Sequence, residues 1–335
     1  MTKPTKTLLD RFNRPLRYLR LSVTDRCDFR CTYCMAEDMH FLPRADILSF
    51  EELRVVASVF VGLGVNKIRV TGGEPLIRQD IVSLLGDLAV LPGLDELCLT
   101  TNGSRLREMA DDLRSAGVAR VNISLDSLKP ERFRQLTRHG NLHTVLEGIE
   151  RAKQCGFTRL KLNAVIQRHR NLDEILDLVD YALANSLDIS FIEEMPLGEV
   201  HSHSRSDEYV SSDEIREIID TRYPLKRHIH TSGGPARYWS HANEPSRIGF
   251  ISPHSHNFCG DCNRVRLTAS GRLLLCLGHE HSVDLRRILR DSEPEQREHK
   301  LEIAIREAML IKPERHEFSL SQETQVLRFM NATGG

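Results

Sequence analysis

Along residues 18–220, short β-rich runs alternate with segments whose apolar residues recur at helical spacing. The pattern predicts strands at Tyr18–Val23, Lys67–Thr71, Glu96–Thr100, Arg120–Ser124, Arg159–Val165 and Asp188–Glu194. Between the first two, Val55, Val56, Val59, Phe60 and Leu63 mark a helix that packs one face on a sheet. Ser49-Phe50-Glu51-Glu52 reads as a capping box opening a helix at Glu51–Leu63, and Asn171 with Glu174 as a second one opening Leu172–Ala184. Repeated strand–helix units imply parallel strands with helices outside, and short right-handed crossovers curve such a sheet. The expected fold is therefore α/β, a partial (β/α)6 TIM-like barrel left open because two units are missing.

The pattern breaks at 197–212. This polar stretch, with its histidines, offers either a metal tract or a solvated loop, and the loop is the expectation, leading into a helix near Asp213–Thr221. After about residue 225 come strand-like pieces at Arg247–Ile251, Arg264–Ala269 and Arg272–Cys276, then helical Asp284–Arg290 and Pro294–Met309. The expected division is a barrel at 1–225 and a smaller α+β module at 226–335, ending on Gly334-Gly335.

Composition narrows the function. The 335 residues carry 46 Lys+Arg against 47 Asp+Glu, a net charge of −1, and 40% hydrophobic residues, the balance of an ordinary globular protein. Such a balance gives no reason to expect nucleic acid or an acidic membrane as partner, so an anion site has to be a local arginine cluster. The charged first residues lack the apolar core of a signal peptide, and the apolar run Val55–Val65 is too short to span a bilayer, so a cytoplasmic location is expected. Of the 8 cysteines, six fall into two clusters, Cys27/Cys31/Cys34 and Cys259/Cys262/Cys276. Clustered cysteines in a reducing compartment hold metal or do redox chemistry. Cys98, in an apolar strand, and Cys155, near a helix end, read as small packed hydrophobes.

The unusual residues sit at the carboxyl ends of the expected strands. Asp25-Arg26-Cys27, Gly72-Gly73-Glu74-Pro75, Thr100-Thr101-Asn102-Gly103, Ser124-Leu125-Asp126-Ser127 and Glu193-Glu194-Met195-Pro196 share the rim where barrel enzymes place their chemistry. A zinc site wants four closed ligands, and Cys27-x3-Cys31-x2-Cys34 offers three with no obvious fourth. A cubane cluster held by three cysteines keeps one iron open to a chelating small molecule. The loop Arg26–Met35, with Tyr33 before its last cysteine, and the Gly72-Gly73-Glu74-Pro75 run resemble the signature motifs of radical S-adenosylmethionine (SAM) enzymes. The resemblance implies a 4Fe-4S cluster on Cys27, Cys31 and Cys34 that binds SAM and yields a 5′-deoxyadenosyl radical. Glycine at position 73 would let the backbone approach the methionine part of SAM.

Cys259-x2-Cys262-x13-Cys276 is open on spacing alone, because His279 completes a zinc-like Cys3His set. Arg264 and Arg266, two apart on an expected strand, project from one face and suit a polyphosphate beside a metal site, with Arg69 and Lys161 adding charge from the barrel side. The runs Phe250–Cys259 and Cys262–Thr268, together with Arg20–Arg26, Phe191–Pro196 and Gly334-Gly335, resemble the GTP 3′,8-cyclase family of molybdenum cofactor biosynthesis over about residues 10–335. That resemblance implies a second 4Fe-4S cluster on Cys259, Cys262 and Cys276 that binds the guanine of GTP. It implies GTP contacts from Arg20, Arg69, Thr100, Lys161, Arg264, Val265 and Arg266, and SAM contacts from Tyr33, Gly73, Ser124 and Met195. Cys27, Cys31, Cys34, Arg264 and Arg266 would carry the catalysis, a lyase reaction giving 3′,8-cyclo-7,8-dihydro-GTP. The same resemblance implies an electron donor, hand-over to cyclic pyranopterin monophosphate synthase (MoaC), room for a homodimer, and a Gly-Gly tail reaching the active site.

Two departures from the family pattern are Ala36, where Pro is usual, and Asp28, where Asn is common; neither removes a ligand. Histidines 254, 256, 279 and 281 are expected to be solvated or to support the site rather than ligate. The rival readings are another two-cluster radical SAM enzyme, such as a peptide maturase, and a zinc-bearing binding protein.

Overall fold

The computed structural model describes residues 7–229, 233–242, 244–320 and 324–334. The first six strands are β1 (Tyr18–Ser22), β2 (Lys67–Thr71), β3 (Glu96–Thr101), β4 (Arg120–Ser124), β5 (Leu160–Val165) and β6 (Asp188–Ile192). They are followed by β7 (Leu225–Arg227), β8 (Arg237–His241), β9 (Ile248–Ile251), β10 (Arg264–Leu267), β11 (Arg272–Leu274) and β12 (Ser282–Asp284). All twelve form one sheet, in the order β12-β11-β10-β1-β2-β3-β4-β5-β6-β9-β8-β7. The strands from β1 to β6 are parallel, β10 adds in parallel to β1, and β9 adds in parallel to β6. Strands from beyond residue 225 thus take the two places where barrel units are missing. The antiparallel pairs β10–β11 and β8–β9 then cap the two ends.

The helices are α1 (Phe50–Gly62), α2 (Ile81–Ala89), α3 (Leu106–Ser115), α4 (Pro130–Thr137), α5 (Leu142–Gln154) and α6 (Ile175–Ala184). After them come α7 (Arg205–Glu208), α8 (Ser212–Asp220), α9 (Leu285–Asp291), α10 (Pro294–Leu310) and α11 (Met330–Thr333). Strand alternation divides the side chains between two environments. Leu19, Leu21, Ile68, Val70, Leu97, Leu99, Val121, Ile123, Leu162 and Phe191 pack in the apolar core under the helices. The other parity, including Tyr18, Arg20, Arg69, Thr100, Asn122, Ser124, Lys161 and Asn163, lines a cavity of about 280 Å³ inside the curved sheet.

The capping box at Ser49 forms as expected: its hydroxyl accepts from Glu52 N at 3.2 Å and the Glu52 carboxylate accepts from Ser49 N at 2.7 Å. The one expected at Asn171 does not. Asn171 Nδ2 instead donates to the carbonyls of Asp126 and Val165 at 2.8 and 2.9 Å, and its Oδ1 accepts from Gln167 N. Glu174 is fully buried and accepts from Ser127 Oγ, Leu128 N and Arg132 Nη1. Both residues tie the loops after β4 and β5 together, and the chain opens this helix with a 3-10 turn at Leu172–Glu174.

Candidate active site

The first cysteine triad lies on the loop after β1, and all three residues line the cavity. Gly72 and Gly73 let the loop after β2 close on it. Gly73 N donates to Thr24 O at 2.7 Å and Glu74 N to Arg26 O at 2.8 Å. A Cβ at Gly73 would lie 2.3 Å from Arg26 O, so no other residue fits there. Glu74 is buried beneath, accepting from Leu76 N, Thr101 Oγ1 and Asn102 N, and burial pushes its carboxyl up to about 8. The Tyr33 hydroxyl donates to Asp126 Oδ2 at 2.7 Å, while Asp126 Oδ1 accepts from Val165 N at 2.8 Å.

Polar hydrogens are aimed at the sulfurs. The amide of Phe29 faces Cys27 and that of Asn331 faces Cys34, and Asn102 Nδ2 lies 3.8 Å from Cys27 Sγ. Burial pushes the thiols of Cys27 and Cys31 well above the cysteine range and that of Cys34 to about 12. Neighbouring Glu74, Asp28 and Asp126 add to this at individual sulfurs.

Cys259, Cys262 and Cys276 line the same cavity from the opposite side, and the amides of His316, Arg264 and Gly278 respectively face their sulfurs. Here cations are close. Burial alone would raise Cys262, but Lys312, Arg264 and Arg14 hold it below the usual range. Amide hydrogens directed at sulfur suit thiolates bound to iron, and both triads have them. Three cysteine sulfurs facing one cavity can each take one iron of a cubane, so both donor sets fit 4Fe-4S clusters.

Between the triads lies a row of cations. Arg20 on β1 is in register with Arg266 on β10 and with Arg69 on β2. Arg69 donates to Tyr18 Oη at 2.7 Å, to Leu99 O at 2.8 Å and to Thr100 Oγ1 at 3.4 Å. Lys161, on β5, reaches Ser190 Oγ at 3.2 Å and Tyr238 Oη at 3.5 Å. Burial, with repulsion from Arg69 and Arg264, brings Arg20 down to about 10. Burial with repulsion from Arg20 and Arg264 takes Arg266 well below the arginine range. Burial likewise lowers Lys161. Tyr18 goes to about 8, because the charges of Arg69 and Arg20 outweigh its burial. Burial is the largest cause of the depressions at Arg20, Arg266 and Lys161, and repulsion between neighbouring arginines adds to it, a repulsion that a bound polyanion would relieve.

The residues expected to contact SAM (Tyr33, Gly73, Ser124 and Met195) and GTP (Arg20, Arg69, Thr100, Lys161, Arg264, Val265 and Arg266) all line this one cavity. Val265 has the opposite strand parity and its side chain is in the core, so a ligand would meet its main chain. Gly334 also arrives there. Its carbonyl accepts from Arg266 Nη1 at 2.6 Å, and Asn331 Nδ2 donates to Asp25 O at 2.8 Å. Gly335 lies outside the described residues.

The loop at 201–206 is a correction. His201 is exposed as expected, but the side chain of His203 is 2% exposed and meets both carboxylate oxygens of Glu194 at 2.9 Å. Gln167 Nε2 and Arg205 Nε donate to the same carboxylate, and Arg205 Nη2 to Leu197 O and Gly198 O. A buried carboxylate next to Met195 needs these partners, and polarity alone does not distinguish them from solvated side chains. His254, His256 and His279 are committed to Glu194 O, Asp213 Oδ2 and Arg315 O, away from ligand positions. Cys98 is buried in β3, and Cys155 Sγ donates to Asp111 Oδ1 at 3.1 Å on the helical side. The rim motif containing Asp126 is legible in the sequence but its pairing with Tyr33 is not, and Tyr18, Arg14 and Lys312 carry no motif; of these, Tyr18 has a signal, since it sits two residues before Arg20 on one strand face.

Residues 21–182 match the radical SAM superfamily and residues 187–318 the family described as Molybdenum Cofactor Synthesis C. The chain is 60% identical over 328 residues to GTP 3′,8-cyclase 2 of Pseudomonas aeruginosa, covering 98% of each chain. It is 60% identical to GTP 3′,8-cyclase of Pseudomonas entomophila over 100% of both, and 58% identical to that of Saccharophagus degradans over 98% of this chain and 99% of that one. Among solved structures, Streptococcus suis SuiB bound to S-adenosylmethionine superposes with a TM-score of 0.62 at 14% identity, covering 96% of this chain and 78% of that one, a likeness of fold. The chain belongs to the radical SAM superfamily and, within it, to the GTP 3′,8-cyclase family.

Proposed function

We propose that the chain converts GTP and SAM to 3′,8-cyclo-7,8-dihydro-GTP, the first step of molybdenum cofactor biosynthesis and a lyase reaction. The observation that carries this reading is the register Arg266–Arg20–Arg69, a cationic row inside one cavity with a cysteine triad on either side. Cys27, Cys31 and Cys34 would hold the cluster that binds SAM, and Cys259, Cys262 and Cys276 a second cluster facing the guanine. When bound, the first cluster supplies the electron that splits SAM, giving the 5′-deoxyadenosyl radical that takes hydrogen from C3′ of the ribose.

The chain's own residues orient and exclude. Gly73 offers main chain to the methionine part, and Tyr33, held by Asp126, Ser124 and Met195 frame SAM. Arg20, Arg69, Lys161, Arg264 and Arg266 neutralise the triphosphate, which fixes C3′ and C8 of one nucleotide against the radical source. Thr100, which accepts from Arg69, and the main chain of Val265 complete the wall. The enclosed sheet interior keeps water from the radical. An electron donor outside the chain and MoaC as consumer of the product belong to the same reading. A cytoplasmic location does too, and no helix of the described residues is long and apolar enough to cross a membrane.

The test is anaerobic turnover of reconstituted protein with SAM, a reductant and each nucleoside triphosphate in turn, read by mass spectrometry. 5′-Deoxyadenosine with a new GTP-mass isomer, only when GTP is present, is the expected result. Deoxyadenosine with every nucleotide returned unchanged would overturn the substrate, and its absence from protein holding iron would overturn the enzyme.

A further inference from the structure

Lys312 follows α10 and is one of the largest fully buried side chains of the protein, at 1% exposure. Its ammonium lies 2.5 Å from Leu275 O and 3.6 Å from Cys262 Sγ. It meets a carbonyl and a sulfur and, among the described residues, no carboxylate. A buried ammonium is strongly unfavourable without an anionic partner, so its counter-charge has to come from groups within reach. The thiolates of the second triad are the anions within reach. Leu275 precedes Cys276, so one side chain is fastened to two of the three cysteine positions.

The segment after Lys312 is fastened to the third. Arg14 Nη1 donates to Cys259 O at 2.7 Å and to Glu314 O at 2.5 Å, and its Nη2 to Pro313 O at 2.8 Å. The Arg14 charge is itself balanced by Asp10, 2.6 Å from Nε. Arg264 is a second cation near these sulfurs, but among the described cations it is the Lys312 ammonium that reaches a sulfur of the triad by hydrogen bond, with no carboxylate of its own. The first triad has the opposite surroundings. Asp28 Oδ1 lies 3.9 Å from Cys27 Sγ, and Asp126, bonded to the Tyr33 hydroxyl, faces Cys31 and Cys34.

We propose that Lys312 is a positioning residue for the second iron–sulfur site, whose buried charge and hydrogen bond to Cys262 raise that cluster's reduction potential above that of the first. This rests on the reading that Cys259, Cys262 and Cys276 hold a cluster. Reduction adds negative charge, a cation near the sulfurs stabilises the reduced form, and carboxylates near the other triad do the reverse. The fold thereby makes two sites with the same ligand set unequal. The first is the strong reductant that SAM cleavage requires, and the second accepts an electron more readily.

The experiment compares reconstituted wild-type protein with Lys312→Met, Lys312→Gln and Lys312→Arg. Iron and sulfide are measured, and both clusters are titrated with reductant by electron paramagnetic resonance. Signals are assigned against a Cys259→Ala chain, which keeps the first cluster. In Met and Gln variants that hold both clusters, the reduced-to-oxidised ratio of the second cluster at fixed potential should fall about tenfold or more, ~59 mV for one electron. The first cluster should not move, and Lys312→Arg should restore the second. Loss of the second cluster from the Met and Gln variants, with retention in the Arg variant, also supports the inference, because the charge is then what makes the thiolates bind. An unchanged second midpoint in loaded Met and Gln variants overturns it, and so does loss from all three variants. Wild-type protein that holds only the first cluster would overturn the underlying assignment of the second triad, a result distinct from the others.

Discussion

Arg20 and Arg266 are register partners across the parallel pair β1–β10, and both donate to the carbonyl oxygen of Gly334, at 3.3 and 2.6 Å. A barrel strand and a strand from beyond residue 225 thus hold one cationic position jointly, and a segment near the end of the described chain reports on both. Because like charges face each other there, the geometry is favourable only with an anion nearby. Replacing either arginine with Ala should lower kcat/KM for GTP by about 10–100-fold, the loss of one charge-assisted hydrogen bond. SAM affinity should be unchanged, as steady-state assays and titration calorimetry would show. A parallel loss of SAM binding would place these residues elsewhere in the mechanism.

Gly334 has φ +76°, and a Cβ there would lie 2.4 Å from Thr71 Oγ1. The left-handed backbone costs an L-residue roughly 1–2 kcal/mol even before that contact. Gly334→Ala should therefore free the segment after Val326, seen as faster proteolysis there, and reduce kcat/KM for GTP about tenfold. Equal protease resistance in the variant would show that the segment is held by other contacts.

Burial raises the Asp126 carboxyl from 3.8 to about 6. The folded chain then holds a proton that the unfolded chain has lost, so the associated stability is full below about pH 4 and is lost as pH rises through 6. Asp126→Asn removes the ionisation. In the metal-free chain its stability relative to wild type should climb by roughly 2–2.5 kcal/mol between pH 4 and pH 7 in denaturant titrations. A difference that does not vary with pH would contradict the assigned burial cost.

Two helix starts separate local from tertiary roles. Ser49→Ala removes an exposed capping box and should cost about 1 kcal/mol in unfolding free energy. Glu174→Ala removes the buried acceptor shared by Ser127 Oγ, Leu128 N and Arg132 Nη1, and should cost roughly 2–4 kcal/mol. Similar costs in the two variants would mean that Glu174 acts only as a helix-start residue.

The sequence carried the barrel because its information is local. Period-two runs such as Lys67–Thr71 and Arg120–Ser124 have the same bounds in the structure, and their rim motifs follow directly. The Cys, Gly-Gly and Arg-Val-Arg motifs are contiguous, so they too were visible. What escaped depends on contacts distant in sequence. Short strands such as β7 and β12 acquire identity only from their partners. The Asn171 and Glu174 side chains, helix-start residues by local rule, were recruited by neighbouring loops. His203 lies in a polar run whose burial depends on Glu194, and Lys312 meets a cysteine 50 positions away.

GTP is expected to bind in the one cavity with its ribose between the two cysteine triads and C3′ offered to the radical source. The most direct measurement is anaerobic turnover with GTP deuterated at C3′, followed by mass spectrometry of the 5′-deoxyadenosine formed. One deuterium is expected in that product with this substrate, and none with GTP deuterated at C2′ or C4′ instead. Unlabelled deoxyadenosine from the C3′-deuterated substrate, or label transferred from another ribose carbon, would contradict it.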